Sequence, residues 1–285
     1  MNFKDKQDRY FNRRHFLKLC GATVIGGIAG SAYAFGIERQ WLSVESVTIP
    51  LRNLPEVFAG FTIAHISDIH YDQYEPEEVV LAAINEINAR KPDIVAITGD
   101  FITLRNSHAE AIGFLLKDLN PKEGTFACLG NHDWIGHEKR VLPYLNKAGV
   151  QTLRNQNVTF NRRGSELTLA GLNDAWFGGT NLNTALAGHR NNSPVIAMMH
   201  QPDMADELSR DPRLSLQLSG HSHGGQICLP GYGPLHLPMT GQKYSSGLYK
   251  VRDAWVYTNR GLGVITIPFR IFCRPELTII TLVPA

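Results

Sequence analysis

The chain is short of sulfur. It has four cysteines in 285 residues, none in a C-x-x-C pair, and Cys20 falls in an N-terminal stretch set apart by its composition. The remaining three, Cys128, Cys228 and Cys273, are an odd number without metal-site spacing. That excludes a disulfide framework and a thiolate metal site as organising features, and leaves core packing as the expected role of each. Charge is scarce too: 28 Lys/Arg stand against 26 Asp/Glu, a net +2. Six of the basic residues (Lys4, Lys6, Arg9, Arg13, Arg14 and Lys18) lie in residues 1–19 with only Asp5 and Asp8 against them, so the body is slightly acidic. Such a body is not built to neutralise phosphate backbones, and nucleic acid is not expected as a stable partner. Internal repeats, low-complexity tracts and interdomain linkers are missing as well. What is present is ordinary for a globular protein, 43% hydrophobic and 19% charged residues, in a chain long enough for one sizeable core.

Residues 1–40 read as a targeting segment or N-terminal anchor, and 45–285 as one domain. Asn12-Arg13-Arg14-His15-Phe16-Leu17-Lys18 precedes an uncharged stretch rich in Gly and Ala, from Leu19 to Ile37. This resembles a twin-arginine export signal, with Asn12 where Ser or Thr is usual. Ala32-Tyr33-Ala34 offers a small-x-small cleavage site. The uncharged stretch is marginal as a membrane span. A cleaved signal and an uncleaved anchor both remain open, and each implies the translocase as a partner. The body is then expected in the periplasm or at the outer face of the cytoplasmic membrane, with peripheral or anchored membrane association.

Past residue 45, short Val/Ile/Leu-rich runs alternate with amphipathic ones. The apolar runs predict strands over Phe61–Ser67, Asp93–Thr98, Thr125–Leu129, Glu166–Leu172, Pro194–Met199, Leu214–Ser219, Ala254–Thr258 and Glu276–Val283. Helices are predicted over Pro76–Arg90, His108–Leu119 and Glu138–Ala148, the first with acidic residues in its opening turn and Pro92 beyond its end. The alternation predicts an α/β fold, parallel in the first half and with more antiparallel sheet in the second, where Gly and Pro increase.

Five polar motifs each follow one of these apolar runs. They are Asp68-Ile69-His70, Gly99-Asp100, Gly130-Asn131-His132-Asp133, His200, and Gly220-His221-Ser222-His223. Taken singly, an Asp or Asn after a strand is a turn or cap residue, and a lone His is a satisfied core or surface residue. Together they bring Asp, Asn and His to one sheet edge, where ligands of α/β proteins gather. Asp68 and His70 alternate by two, as do His221 and His223, so each pair points one way if the chain stays extended. Oxygen and imidazole donors without sulfur suit Mn²⁺, Fe, Zn²⁺ or Ni²⁺ better than a structural zinc site.

D-x-H, G-D, G-N-H-D, H and G-H-x-H in this order resemble the calcineurin-like metallophosphoesterases, over roughly residues 60–225. The resemblance implies a β-sandwich flanked by helices (α/β/β/α), with a dimetal site at the loop-bearing edge. It implies that Asp68, His70 and His223 bind one divalent ion and that Asn131, His200 and His221 bind the other, with Asp100 bridging. Mn²⁺ is the leading candidate for both. It further implies that His132 acts as general acid or phosphate contact, with Asp133 orienting it.

The flanking segments Gly220–Gln226, Asn259–Gly263 and Arg274–Thr278, taken with the leader, look like the small exported bacterial phosphodiesterases of that family. Those are similar in turn to hydrolases of UDP-2,3-diacylglucosamine in lipid A (glycolipid) biosynthesis. A metal-dependent phosphodiesterase is therefore expected, acting on a phosphodiester or pyrophosphate that could be a lipid or cell-envelope component. The lipid A pyrophosphatase is its leading specific alternative; a phosphomonoesterase and a non-catalytic metal-binding scaffold also stay open. Arg260 is either a contact to substrate phosphate or a surface residue in a turn. Tyr232 and His236 sit in a Pro/Gly-rich stretch, 230–241, expected at the substrate rim. Asp174, at another strand end, is a turn residue or a support of the site. His65, His108, His137 and His189 fit no motif.

Overall fold

A computed structural model describes residues 13–71, 74, 76–103, 108–135, 138–189 and 193–285. Asn12, the basic residues before it and His137 therefore lie outside the described residues. In chain order the helices are α1 (Arg13–Ala32), α2 (Glu77–Arg90), α3 (Ala109–Leu116), α4 (Asn131–Ile135), α5 (Leu142–Lys147), α6 (Leu182–Ala185) and α7 (Ala205–Leu208). The strands are β1 (Ser43–Leu51), β2 (Thr62–Ile66), β3 (Ile94–Ile97), β4 (Thr125–Ala127), β5 (Val150–Thr152), β6 (Gln156–Arg162), β7 (Ser165–Gly171), β8 (Val195–Met198), β9 (Leu214–Ser219), β10 (Cys228–Leu229), β11 (Gly233–Pro234), β12 (Gly247–Val251), β13 (Ala254–Thr258) and β14 (Glu276–Pro284).

Two six-stranded sheets carry the fold, ordered β1-β14-β2-β3-β4-β5 and β12-β13-β9-β8-β7-β6. Apolar residues of both inner faces meet between them, among them Phe58, Phe61, Ile63, Ile94, Leu169, Ile196, Leu216 and Ile280. The outer face of the first sheet packs on α2, α3 and α5 through Val80, Ile84, Ile87, Ile112, Leu116 and Leu145. A smaller cluster including Ala185, Leu186 and Leu208 closes the far face of the second sheet. Helix–sheet–sheet–helix layering is the α/β/β/α sandwich expected, and it exists because both faces of nearly every central strand are apolar. Helix α2 shows the local logic. Val80, Ala83, Ile84 and Ile87 form its buried stripe, and Lys91 stops it in the left-handed conformation (φ 49°) just before Pro92.

The antiparallel pairing expected of the second half is present in β6–β7, β10–β11, β12–β13 and β14–β2, but it stays at the margins of the second sheet. Its central pairs β7–β8, β8–β9 and β9–β13 are all parallel, and only the edge pairs β6–β7 and β12–β13 are antiparallel. Crossovers through the short α6 and α7 turn the chain back, and four-residue helices leave too little periodicity to read in advance. Strands β1, β5, β6 and β12 carry no clear signal in the sequence, because half-buried edge strands lack a continuous apolar run: β6, for instance, has exposed and half-buried residues with Phe160 alone buried. The helix expected over 138–148 is a 3₁₀ turn followed by the six-residue α5.

Packing of the body begins ahead of residue 45. Helix α1 exposes Phe16, Leu17, Leu19 and Val24, but beyond it Ala34 and Glu38 are buried and the Phe35 ring lies 4.9 Å from that of Phe269. Among the described residues no helix is long and apolar enough to cross a membrane.

Candidate metal centre

The carboxyl ends of β2, β3, β4, β8 and β9 converge at one edge of the sandwich and deliver the five motifs together. Backbone bonds stitch the edge across strands: Asp68 N–H donates to Gly99 O at 2.9 Å, His70 N–H to Asp100 O at 3.0 Å, and Gly220 N–H to His200 O at 3.1 Å. Two clusters result, Asp68–His70–His223 and Asp100–His200–His221, all six residues buried and each with its potential ligand atoms within 4.8 Å of one another. They adjoin, since Asp100 Oδ2 lies 3.1 Å from His200 Nε2 and 3.5 Å from His70 Nε2. Asp100 therefore stands between the clusters. Asn131 is buried beside them with its Oδ1 atom lacking any hydrogen-bond partner. A buried amide oxygen without a donor is costly, and a cation would supply what it lacks.

The motif residues do not reach the site through extended backbone. Asp68, His70, Asp100, His221 and His223 all have positive φ, between 44° and 69°. Each strand instead ends in a left-handed turn that throws the side chain inward. Non-glycine residues held this way cost about 1–3 kcal/mol apiece, and such strain collects where geometry is set for function.

Three histidines are oriented by their far nitrogens. His200 Nδ1 meets Thr98 O at 2.6 Å, His70 Nδ1 meets Thr103 Oγ1 at 2.9 Å, and His221 Nε2 meets Met239 O at 2.9 Å. A carbonyl partner fixes the N–H on that side and leaves the opposite nitrogen as a lone-pair donor, the arrangement metal-binding histidines need. The electrostatics agree. Burial works against the Asp100 carboxylate, but His200, His132 and His70 outweigh it and hold it well below the usual range. Burial also opposes charge on His200, yet Asp100 and Asp68 lift it to about 10. Burial, with the charge of His200 adding, lowers His221 to about 4, and it pushes His223 well below its ordinary value. Positive charge is thus wanted between the carboxylates, while neighbouring imidazoles stay neutral.

His132 sits half-buried at the mouth, its ring edge-on to His70 with centroids 5.1 Å apart. Its Nδ1 has no partner, and its backbone N–H donates to Asp100 Oδ1 at 2.9 Å. Asp133 does not reach that ring. Its carboxylate accepts backbone N–H groups of Asp100, Phe101 and Gly130, each at 2.9 Å, and so clamps the loops after β3 and β4. Asp174 likewise binds backbone, the N–H groups of Trp176 at 2.9 Å and Phe177 at 2.8 Å, and places the Trp176 ring 5.1 Å from that of His221. The guanidinium of Arg260 is taken by Glu276 and Glu45, so a phosphate contact would require it to leave two carboxylates. His65, buried, pairs with Thr98 Oγ1 at 2.9 Å. Trp176, Met239 and the clamp of Asp133 escaped the sequence reading, because a backbone atom or a ring edge carries no motif.

A cleft of about 430 Å³ opens from Asp100, His132, His221 and His223 toward Ile227, Leu235, Pro238, Ile265 and Ile267. His236 lines it as well, whereas Tyr232 stands outside, 77% exposed.

Residues 61–225 match the model of the family described as calcineurin-like phosphoesterase. The chain is 36% identical over 279 residues to the uncharacterized metallophosphoesterase YkuE of Bacillus subtilis, covering 95% of this chain and 97% of that one. It is 32% identical over 276 residues to the phosphodiesterase YaeI of Escherichia coli, covering 95% and 99%. Among solved structures, the sulfate thiohydrolase SoxB of Thermus thermophilus shares the fold at a TM-score of 0.50 and 13% identity, over 73% of this chain and 53% of that one. The chain belongs to the calcineurin-like phosphoesterase family and is a metallophosphoesterase.

Proposed function

We propose that this calcineurin-like phosphoesterase hydrolyses a phosphodiester or pyrophosphate bond with two divalent metal ions. The observation that carries the reading is the pair of buried carboxylate–imidazole clusters meeting at Asp100. The relative YaeI, named a phosphodiesterase, supports it. The donors fit the ions: one cluster is Asp68, His70 and His223, the other His200 and His221 with Asn131, whose buried Oδ1 has no hydrogen-bond partner. Asp100 serves both. Oxygen and nitrogen donors without sulfur suit Mn²⁺, Fe, Zn²⁺ or Ni²⁺, and Mn²⁺ is the ion carried over from the family resemblance. Bound there, two divalent ions supply Lewis acidity toward the phosphate oxygens and toward the attacking water.

The chain's own residues do the rest. His132, at the cleft mouth, is the proton donor to the leaving oxygen. Asp133 acts on His132 and Asp100 alike by fixing the loops that carry them. Arg260 would contact phosphate only after exchanging Glu276 and Glu45 for it. The leader is read as a twin-arginine signal that delivers the body to the outer face of the cytoplasmic membrane. What supports retention there is that Ala34, the last residue of the expected cleavage motif, and Glu38 are buried against the body, although Tyr33 and Phe35 stay exposed.

A second reading rests on the apolar wall of the cleft. Ile227, Leu235, Pro238, Ile265 and Ile267 would cover an acyl chain, and this favours UDP-2,3-diacylglucosamine, or another amphiphilic envelope phosphodiester, as substrate. Parallel rates on bis-p-nitrophenyl phosphate, p-nitrophenyl phosphate and UDP-2,3-diacylglucosamine test both readings. Diester turnover that requires added Mn²⁺ supports the first, and preference for the lipid by 10-fold or more supports the second. A monoester preference, or no turnover with metal bound, contradicts the diester reading.

A further inference from the structure

Among the described residues Arg270 is the largest fully buried side chain, and none of its hydrogen-bond partners there is a carboxylate. One terminal nitrogen donates to Cys273 O at 3.0 Å, the other to Arg260 O at 2.9 Å and Gly261 O at 3.1 Å as well as to Gly263 O. A guanidinium is a planar fork of five N–H groups, so one side chain can gather several carbonyls that point at a common centre. A buried charge with carbonyls and a thiol for partners, and its Nε atom unpaired, is expensive unless its geometry serves something.

Those carbonyls belong to two segments, and each lies behind one member of the Asp68–His70–His223 cluster. In the first, Leu262 N–H donates to Ser67 O at 3.0 Å and Gly263 N–H to Asp68 O at 2.8 Å. The fit is close enough that a Cβ on Gly261 would stand 2.7 Å from Asp68 Cβ, and one on Gly263 2.1 Å from Ile69 O. This loop is therefore the floor beneath the left-handed turn that aims Asp68 and His70. In the second, Cys273 Sγ lies 3.2 Å from His223 O. The other cluster has no such backing from Arg270. Asp100, His200 and His221 are oriented through Asp133, Thr98 O and Met239 O.

We propose that Arg270 is a positioning residue for the Asp68–His70–His223 metal site, holding the 260–263 loop and Cys273 so that these ligands converge. The idea rests on the two-metal reading above. A cation set behind a cation site repels the ion, so the gain lies in geometry rather than in charge. Lysine keeps the charge but not the fork, and Arg270→Lys should therefore fail to substitute.

Site-selective metal affinity is the decisive readout. Asn131→Ala impairs the second site and leaves the first to be measured; His223→Ala does the reverse. Adding Arg270→Lys to each, and titrating with Mn²⁺ by calorimetry, compares the two sites directly. The expected result is at least a 10-fold weaker first site, in line with the roughly 10–100-fold cost of losing a ligand's support, and a second site changed less than 2-fold. Turnover of the Arg270→Lys single variant should recover at high Mn²⁺. Leu216→Ala, a core change away from the loop, controls for general loosening and should weaken neither site selectively. Equal weakening of both sites, or an Arg270→Lys protein whose first site matches its parent, overturns the proposal. If Arg270→Lys proves insoluble, Cys273→Ala probes the same support from the His223 side with the same expected selectivity, and equal weakening there overturns it too. Absence of Mn²⁺ binding in the unsubstituted protein instead contradicts the metal reading itself.

Discussion

The two clusters at the sheet edge contain the same chemistry, a carboxylate and two imidazoles, yet the protein holds them by different means. Asp100, His200 and His221 hang from groups close to strand ends: Thr98 O and the Asp133 clamp from neighbouring strands, with Met239 O closing the far side. Asp68, His70 and His223 use strand-end groups too, Gly99 O, Asp100 O and Thr103 Oγ1, but rest in addition on the C-terminal segment 259–273, folded under them and fixed by one buried arginine. One site is thus held mainly by neighbouring strand ends, and the other by strand ends together with a loop that arrives much later in the chain. The difference teaches that a ligand set can be legible when its support is not.

Asp100 is the sharpest place to break the comparison, because it faces both clusters. Asp100→Ala should lower turnover of bis-p-nitrophenyl phosphate by about 10³-fold or more, since Lewis-acid stabilisation is worth several kcal/mol and each 1.36 kcal/mol is tenfold in rate. Metal analysis of the same protein should show depletion of both sites, and full turnover would sink the scheme. Asp133→Asn comes next. It leaves every proposed ligand in place but turns an amide N–H₂ toward backbone N–H groups of Asp100, Phe101 or Gly130. A stability loss of about 2–3 kcal/mol is expected from the unsatisfied buried donors, measured by urea unfolding, with the Asp100 site weakened more than the Asp68 site. Asn131→Ala should be milder still for the fold and should lower metal content mainly at one site, read by titration of the variant.

At neutral pH the smallest effect concerns His65, on β2 just ahead of the Asp68 turn. Burial holds its imidazole down to about 3 from an ordinary 6.5. The folded state therefore binds fewer protons than the unfolded chain between these values, so stability is complete above about pH 6.5 and falls as pH drops toward 3. The slope is about 1.4 kcal/mol per pH unit from this group. His65→Gln should flatten that acid-side loss in unfolding curves taken at pH 7, 6 and 5. An unchanged slope would assign the acid sensitivity to other groups.

The candidate ligands could be read from sequence because each motif is local: a polar residue within a few positions of an apolar strand, repeated five times. The sandwich followed from the same apolar runs. What escaped was non-local or carried by backbone. Arg270 looks like any arginine in a loop until its four carbonyl partners are seen. Arg260, in a glycine-flanked turn, invited a phosphate role, but its charge is engaged by Glu276 and by Glu45, more than two hundred residues upstream. The extended geometry expected for Asp68-Ile69-His70 fails for a similar reason. Period-two spacing describes a strand, and these residues lie past its end, in left-handed turns shaped by what packs beneath them.

The paired clusters predict two metal ions held side by side, both needed for turnover. Chelator-treated protein titrated with Mn²⁺, with bound metal and bis-p-nitrophenyl phosphate turnover followed together, tests this most directly. Two equivalents should bind, and activity should rise with occupancy of the second. Full turnover without metal, or full turnover at one equivalent, would contradict the account.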